Sequence, residues 1–95
     1  MVRYAALLRF TEQGAKNLKK STSRAAEFRE AAAKAGLTVE GQYWTTGAYD
    51  GFLIFSANDE NTAIRCLAAL AAAGNVRTET LRAFTAKEFE AIAGK

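Results

Sequence analysis

The chain has 95 residues, 49% of them hydrophobic, and a formal net charge of +3 from thirteen basic and ten acidic side chains. That is one domain with one modest core, and a charge too evenly interspersed for a nucleic-acid footprint. With no histidine and one cysteine, it cannot build a Ser-His-Asp or Cys-His arrangement, a zinc site of common type, a histidine-ligated haem or an internal disulfide.

Val2 to Phe10 reads as a β-strand whose Ala5-Ala6-Leu7-Leu8 breaks alternation, so it is expected to be buried on both faces. Thr11 to Ser23 follows as a polar connection. Lys16, Lys19, Lys20 and Arg24 have spacings that let them share one surface and attract a phosphate or carboxylate. With no glycine-rich phosphate loop beside them, a solvated basic approach to a helix is the simpler reading.

Ser23 to Ala35 predicts the first helix, with Ala25, Phe28, Ala32 and Ala35 on one stripe and Gly36 beyond its end. Its alanines would let it lie close to a sheet. Leu37 to Thr46 reads as an edge strand, with Leu37, Val39, Gly41 and Tyr43 on one face and Thr38, Glu40, Gln42 and Trp44 on the other. A turn follows, in which Gly47 and Gly51 permit unusual backbone angles and Asp50 can accept backbone N–H bonds. Phe52-Leu53-Ile54-Phe55 then gives a third strand with the look of burial on both faces.

Asn58-Asp59-Glu60 caps a second helix carrying Ile64, Leu67, Ala68 and Ala71. Beyond Arg65 it has no charge before Gly74, so it is expected to be covered on more than one side. Cys66 reads as a small buried hydrophobe, since no histidine exists to activate it. Asn75 to Phe84 alternates strictly as the other edge strand. Thr85-Ala86-Lys87-Glu88 fits a capping box, with Phe84 and Phe89 at the hydrophobic-staple positions of a short helix ending at Ala93.

Strand, helix, strand, strand, helix, strand is the order of a ferredoxin-like α+β fold, here as one domain over residues 1–95 with a short C-terminal helix. Strands one and three should be central. Two helices cover one face of such a sheet, leaving apolar residues on the other, which points to a second copy and a dimeric α/β-barrel assembly.

Three segments carry a resemblance. Leu8-Arg9-Phe10-Thr11-Glu12-Gln13-Gly14, Thr46-Gly47-Ala48-Tyr49-Asp50-Gly51, and Gly74-Asn75-Val76-Arg77-Thr78-Glu79-Thr80-Leu81-Arg82-Ala83-Phe84 resemble the GYD domain family of small stand-alone bacterial and archaeal proteins. The resemblance implies a ferredoxin-like fold and assembly through the sheet. More distantly, Thr46 to Asp50 and Val76 to Thr80 are similar to the effector domain of feast/famine regulators, where such turns meet near a small-ligand site between subunits; that family's DNA-binding helix-turn-helix is missing here. Likeness of fold does not transfer a ligand.

The leading expectation is a homo-oligomeric small-molecule-binding or regulatory module. Its candidate ligand-binding residues are Trp44, Tyr49, Asp50, Thr78, Glu79 and Thr80. Each also has a plainer role: Asp50 as a backbone cap, Tyr49 and Trp44 as core or interface aromatics, the Thr78 to Thr80 row as cross-strand pairs. The alternative is a cofactor-independent dimeric α/β-barrel enzyme of oxygenase or isomerase type. No catalytic residue, cofactor or metal is assigned. An RNA-binding domain of the same topology ranks last, because Asp50 stands where that surface needs a cation, and Phe52 and Phe55 fall on opposite faces. No apolar run is long enough for a membrane span, and none near the start resembles a signal peptide. The expected setting is cytoplasmic, with self-association and no nucleic-acid or membrane partner.

Overall fold

The computed structural model describes residues 1–94. Among these, nine elements follow one another: β1 (Val2–Phe10), α1 (Glu12–Lys16), a 3-10 turn (Leu18–Lys20), α2 (Ser21–Lys34), β2 (Leu37–Trp44), β3 (Gly51–Ala57), α3 (Glu60–Ala72), β4 (Val76–Ala83) and α4 (Ala86–Ala93). The strands form one antiparallel sheet in the order β2-β3-β1-β4. This is a ferredoxin-like fold, and the two apolar runs are the two central strands. Among the described residues no helix is long and apolar enough to cross a membrane.

One sheet face meets the helices. Register places Tyr4 beside Phe55 and Ala6 beside Leu53, and these four side chains are buried with Leu37, Ala57, Ala32 of α2, and Ala63 and Cys66 of α3. The Tyr4 and Phe55 rings stack with centroids 5.6 Å apart. Cys66 is buried and free, and burial pushes its thiol pKa up, away from nucleophilic use. The other face carries Ala5, Leu7, Phe52, Ile54 and Leu81, the first four half-buried and Leu81 exposed. Burial of the central strands on both faces is therefore not achieved within one chain.

Three local expectations are corrected. The Thr11 to Ser23 connection is structured: α1 and the 3-10 turn occupy it, and α2 begins at Ser21. α3 is covered on one side only, with Ile64, Ala68, Ala71 and Ala72 facing out. In β2 the alternation breaks, because Val39 pairs with Phe55 and Gly41 with Ile54, so Glu40 is an extra residue in a β-bulge. Beyond it the faces exchange: Gln42 and Trp44 turn to the helices while Tyr43 joins Phe52 on the open face, ring centroids 5.1 Å apart. The Tyr43 ring folds back over Gly41, where a Cβ would sit 2.9 Å from Cε2.

The bulge is held from the open face. Arg3 Nε donates to Glu40 Oε1 at 2.9 Å, and the Ser56 hydroxyl donates to Oε2 at 3.0 Å. The Arg3 guanidinium, ahead of the Ser56 hydroxyl, holds the Glu40 carboxyl below the usual glutamate range.

Candidate functional site

The three resemblance-bearing segments converge on the C-terminal end of β1. Asp50 grips that end twice: its N–H donates to Leu8 O at 2.8 Å, and its Oδ2 accepts the Phe10 N–H at 2.9 Å. Asp50 O also accepts the Thr45 N–H at 2.9 Å, and the Thr45 hydroxyl donates to Tyr49 O at 2.7 Å, closing the loop between β2 and β3. A carboxylate engaged in this way shapes backbone.

The neighbouring segment is tied to the start of β4. Thr11 donates its N–H to Asn75 O at 3.1 Å and its hydroxyl to Gly74 O at 2.6 Å, while Gln13 Nε2 donates to Asn75 Oδ1 at 3.0 Å. The Thr11 hydroxyl also accepts the Gly14 N–H as the cap of α1. Gly14 lies so close to Asn75 that a Cβ would collide with its carbonyl oxygen. These bonds explain a five-residue helix that has no apolar stripe to dock it.

Next to this junction lies a cleft of about 330 Å³ between α2, α3 and the sheet. Leu8, Phe10, Phe28, Leu53, Leu70 and Val76 give it an apolar floor and walls. Ser21, Arg24, Glu27, Gln42, Asp50 and Asn75 supply the polar groups. Ala25 on α2 and Ala69 and Ala73 at the end of α3 also line it, and side chains this short leave space between the two helices. Trp44 closes one side, its indole N–H donating to Ser21 Oγ at 2.8 Å. Arg24 reaches the carbonyl of Asn17 at 2.9 Å with one of its five N–H donors, leaving others for a ligand. Lys16, Lys19 and Lys20 are exposed just before it in the chain.

The six candidate ligand residues divide between two faces. Trp44 and Asp50 line the cleft. Thr78 pairs with Leu8 and Thr80 with Ala6, which puts both on the helix-covered face of β4. Glu79 pairs with Leu7 on the open face, where it accepts a 2.6 Å hydrogen bond from the Tyr49 hydroxyl, with the Arg9 guanidinium 4.8 Å from the Tyr49 ring centroid. Glu79 as acceptor raises the Tyr49 pKa above the ordinary tyrosine value. The helical wall of the cleft is not among the sequence candidates. Ala32 packs α2 against the sheet as its alanines suggest, whereas Ala25, Ala69 and Ala73, farther along the two helices, border the cleft.

The GYD domain family matches the chain over residues 4–93. Among solved structures, the crystal structure of TTHA0845 from Thermus thermophilus is similar at 27% identity, with a TM-score of 0.57 over 90% of this chain and 96% of that one. No curated protein matches.

Proposed function

Because the chain belongs to the GYD domain family over residues 4–93, we propose that its function resides in this one domain, as a homo-oligomeric small-molecule-binding or regulatory module whose site is the cleft beside Trp44 and Asp50. The observation that carries this reading is the cleft: about 330 Å³, mostly apolar, with a few polar groups at its edge. Small-molecule sites have this character. At roughly 30 Å³ per water of liquid volume, the space is that of about eleven waters, which suits a ligand of roughly a dozen non-hydrogen atoms. Its body would lie on Phe28 and Leu70. An anionic head would meet Arg24, with the lysines before α2 adding attraction in the same sense.

The family-like segments fit this role. Asp50 and Asn75 belong to the backbone junction at the end of β1 and also line the cleft. They would hold its floor rigid, so that little ordering cost falls on binding.

The test uses protein purified without added ligand, denatured, with the released small molecules identified by mass spectrometry. Ala69→Trp places an indole at the cleft's edge from an exposed position and serves as the blocked control. A compound enriched in the parent and depleted from Ala69→Trp supports the reading. Identical extracts from both, with added aromatic carboxylates also bound equally, would overturn it.

A second reading rests on the Tyr49–Glu79 hydrogen bond beside Arg9. In a cofactor-independent dimeric α/β-barrel enzyme of oxygenase or isomerase type, these groups would face the barrel interior. A protonated Tyr49 would then serve as hydrogen-bond donor to a substrate oxygen, with Arg9 stabilising negative charge. An activity abolished by Tyr49→Phe with assembly unchanged would move this reading ahead.

A further inference from the structure

The helix α4 has eight residues, too short to persist in water on its own strength. Its start is well fixed: Thr85 and Glu88 form a reciprocal capping box, and Glu88 lies 3.8 Å from Arg3. Its apolar flank is not. Phe89 and Ile92 are 59% and 60% exposed, and Phe84 just before the helix is 44% exposed. The chain thus presents two uncovered apolar surfaces, the flank of α4 and the sheet face around Leu7, Phe52, Ile54 and Leu81.

The area indicates what covers them. The chain exposes 6341 Å² at a mass of 10.3 kDa, whereas a compact monomer of that mass exposes about 5,400 Å². The radius of gyration, 14.1 Å, likewise exceeds the roughly 12.4 Å of a compact domain of this length. The excess surface, about 940 Å², is somewhat more than the roughly 800 Å² that each partner contributes to a stable interface. One chain also carries both surfaces, so a two-fold contact with an identical chain buries both pairs at once.

Charge favours one direction. Arg9 and Arg77 stand opposite each other at one end of the open face. Glu40 and Glu88 lie with Arg3 at the other end. A copy packed with its strands reversed sets the arginine pair of each chain toward the glutamates of the other.

We propose that α4 is an exchanged arm: the Phe89 and Ile92 flank of each chain seats on the open sheet face of a second copy, at the end where Tyr43 and Phe52 meet. This rests on the homo-oligomeric reading given above and adds the arm to it. Each α4 is then ordered by the other chain.

Hydrogen exchange of the α4 amides, followed with light scattering well above and well below the dimer's dissociation constant, tests this. Protection of Phe89 to Ile92 at high concentration that disappears on dilution, while the β1 and β3 amides stay protected, is the expected result. The double variant Phe89→Glu, Ile92→Glu should weaken the dimer by roughly a hundredfold with β1 and β3 protection retained. A dimer with unprotected α4 amides, or one indifferent to the double variant, overturns the arm alone. A chain that is monomeric at all concentrations overturns the homo-oligomeric reading with it. Protection of α4 in the monomer shows docking within its own chain and also overturns the proposal.

Discussion

The carboxylate of Asp50 accepts the backbone N–H of Phe10 at 2.9 Å, a bond that joins residues forty positions apart and pins the β2–β3 loop to the end of β1. Asp50→Ala removes the acceptor and leaves a part-buried N–H unpaired, so it should cost about 1–3 kcal/mol in urea denaturation. Asp50→Asn retains an amide oxygen and should stay within about 1 kcal/mol of the parent. Equal losses in the two variants would mean that the negative charge, and not the acceptor geometry, is what the junction needs.

Gly14 packs against the carbonyl of Asn75 with no room for a side chain. Gly14→Ala must displace backbone of either α1 or the start of β4, at a cost of about 1–3 kcal/mol. Thermal denaturation checks the loss of stability, and amide chemical shifts should report disturbance at Thr11, Gly74 and Asn75 ahead of any other region. An unperturbed variant would show that α1 is free to move away from β4.

Much of the fold was legible because its signals were local. The apolar runs Ala5 to Leu8 and Phe52 to Phe55 mark central strands, and Thr85 to Glu88 marks a helix start that the structure reproduces bond for bond. The bulge at Glu40 was not legible. Tyr43 and Trp44 suit either face equally well, and the register is set by Arg3 and Ser56, far away in sequence. The candidate site was only half legible for the same reason. Adjacent residues of a loop and strand end point to opposite faces, so Trp44 and Asp50 reach the cleft while Tyr49 and Glu79 meet on the open sheet. The bonds from Thr11 and Gln13 that hold α1 likewise leave no periodic trace.

Acid should loosen the sheet edge at β2. The Arg3 guanidinium, with help from the Ser56 hydroxyl, lowers the Glu40 pKa in the folded state. A carboxylate with a lowered folded pKa contributes stability that is fully present above its unfolded value, about 4.3, and is lost as pH falls through the folded value. The parent should therefore lose stability below about pH 5 more steeply than Glu40→Gln. Denaturation midpoints measured from about pH 7 to about pH 3 check this, and parallel curves for the two proteins would remove Glu40 from the account.

Phe89 sits at a staple position, but its ring is mostly exposed in the single chain. Phe89→Ala should leave monomer stability within about 0.5 kcal/mol, as for other surface positions. Thr85→Ala removes the acceptor for the Glu88 N–H, 3.1 Å away, and should destabilise α4 by about 1 kcal/mol. Circular dichroism and amide exchange in a dilute, monomeric sample separate the two effects. A loss of several kcal/mol from Phe89→Ala in the monomer would place that ring in the chain's own core.

Trp44 is the only tryptophan in the chain and lines the cleft, so its indole N–H resonance reports occupancy directly. The decisive measurement is a titration of that resonance with aromatic and aliphatic carboxylates of roughly ten to fifteen non-hydrogen atoms. The parent should show a saturable shift of the Trp44 resonance, with the amides of Leu8, Asp50 and Leu70 moving alongside. Ala69→Trp should show no shift at the Trp44 resonance, and Arg24→Gln should bind about tenfold more weakly through loss of a charge-assisted bond. No saturable response to any of these compounds in the parent, or an equal response in Ala69→Trp, would contradict the assignment of the cleft as the functional site.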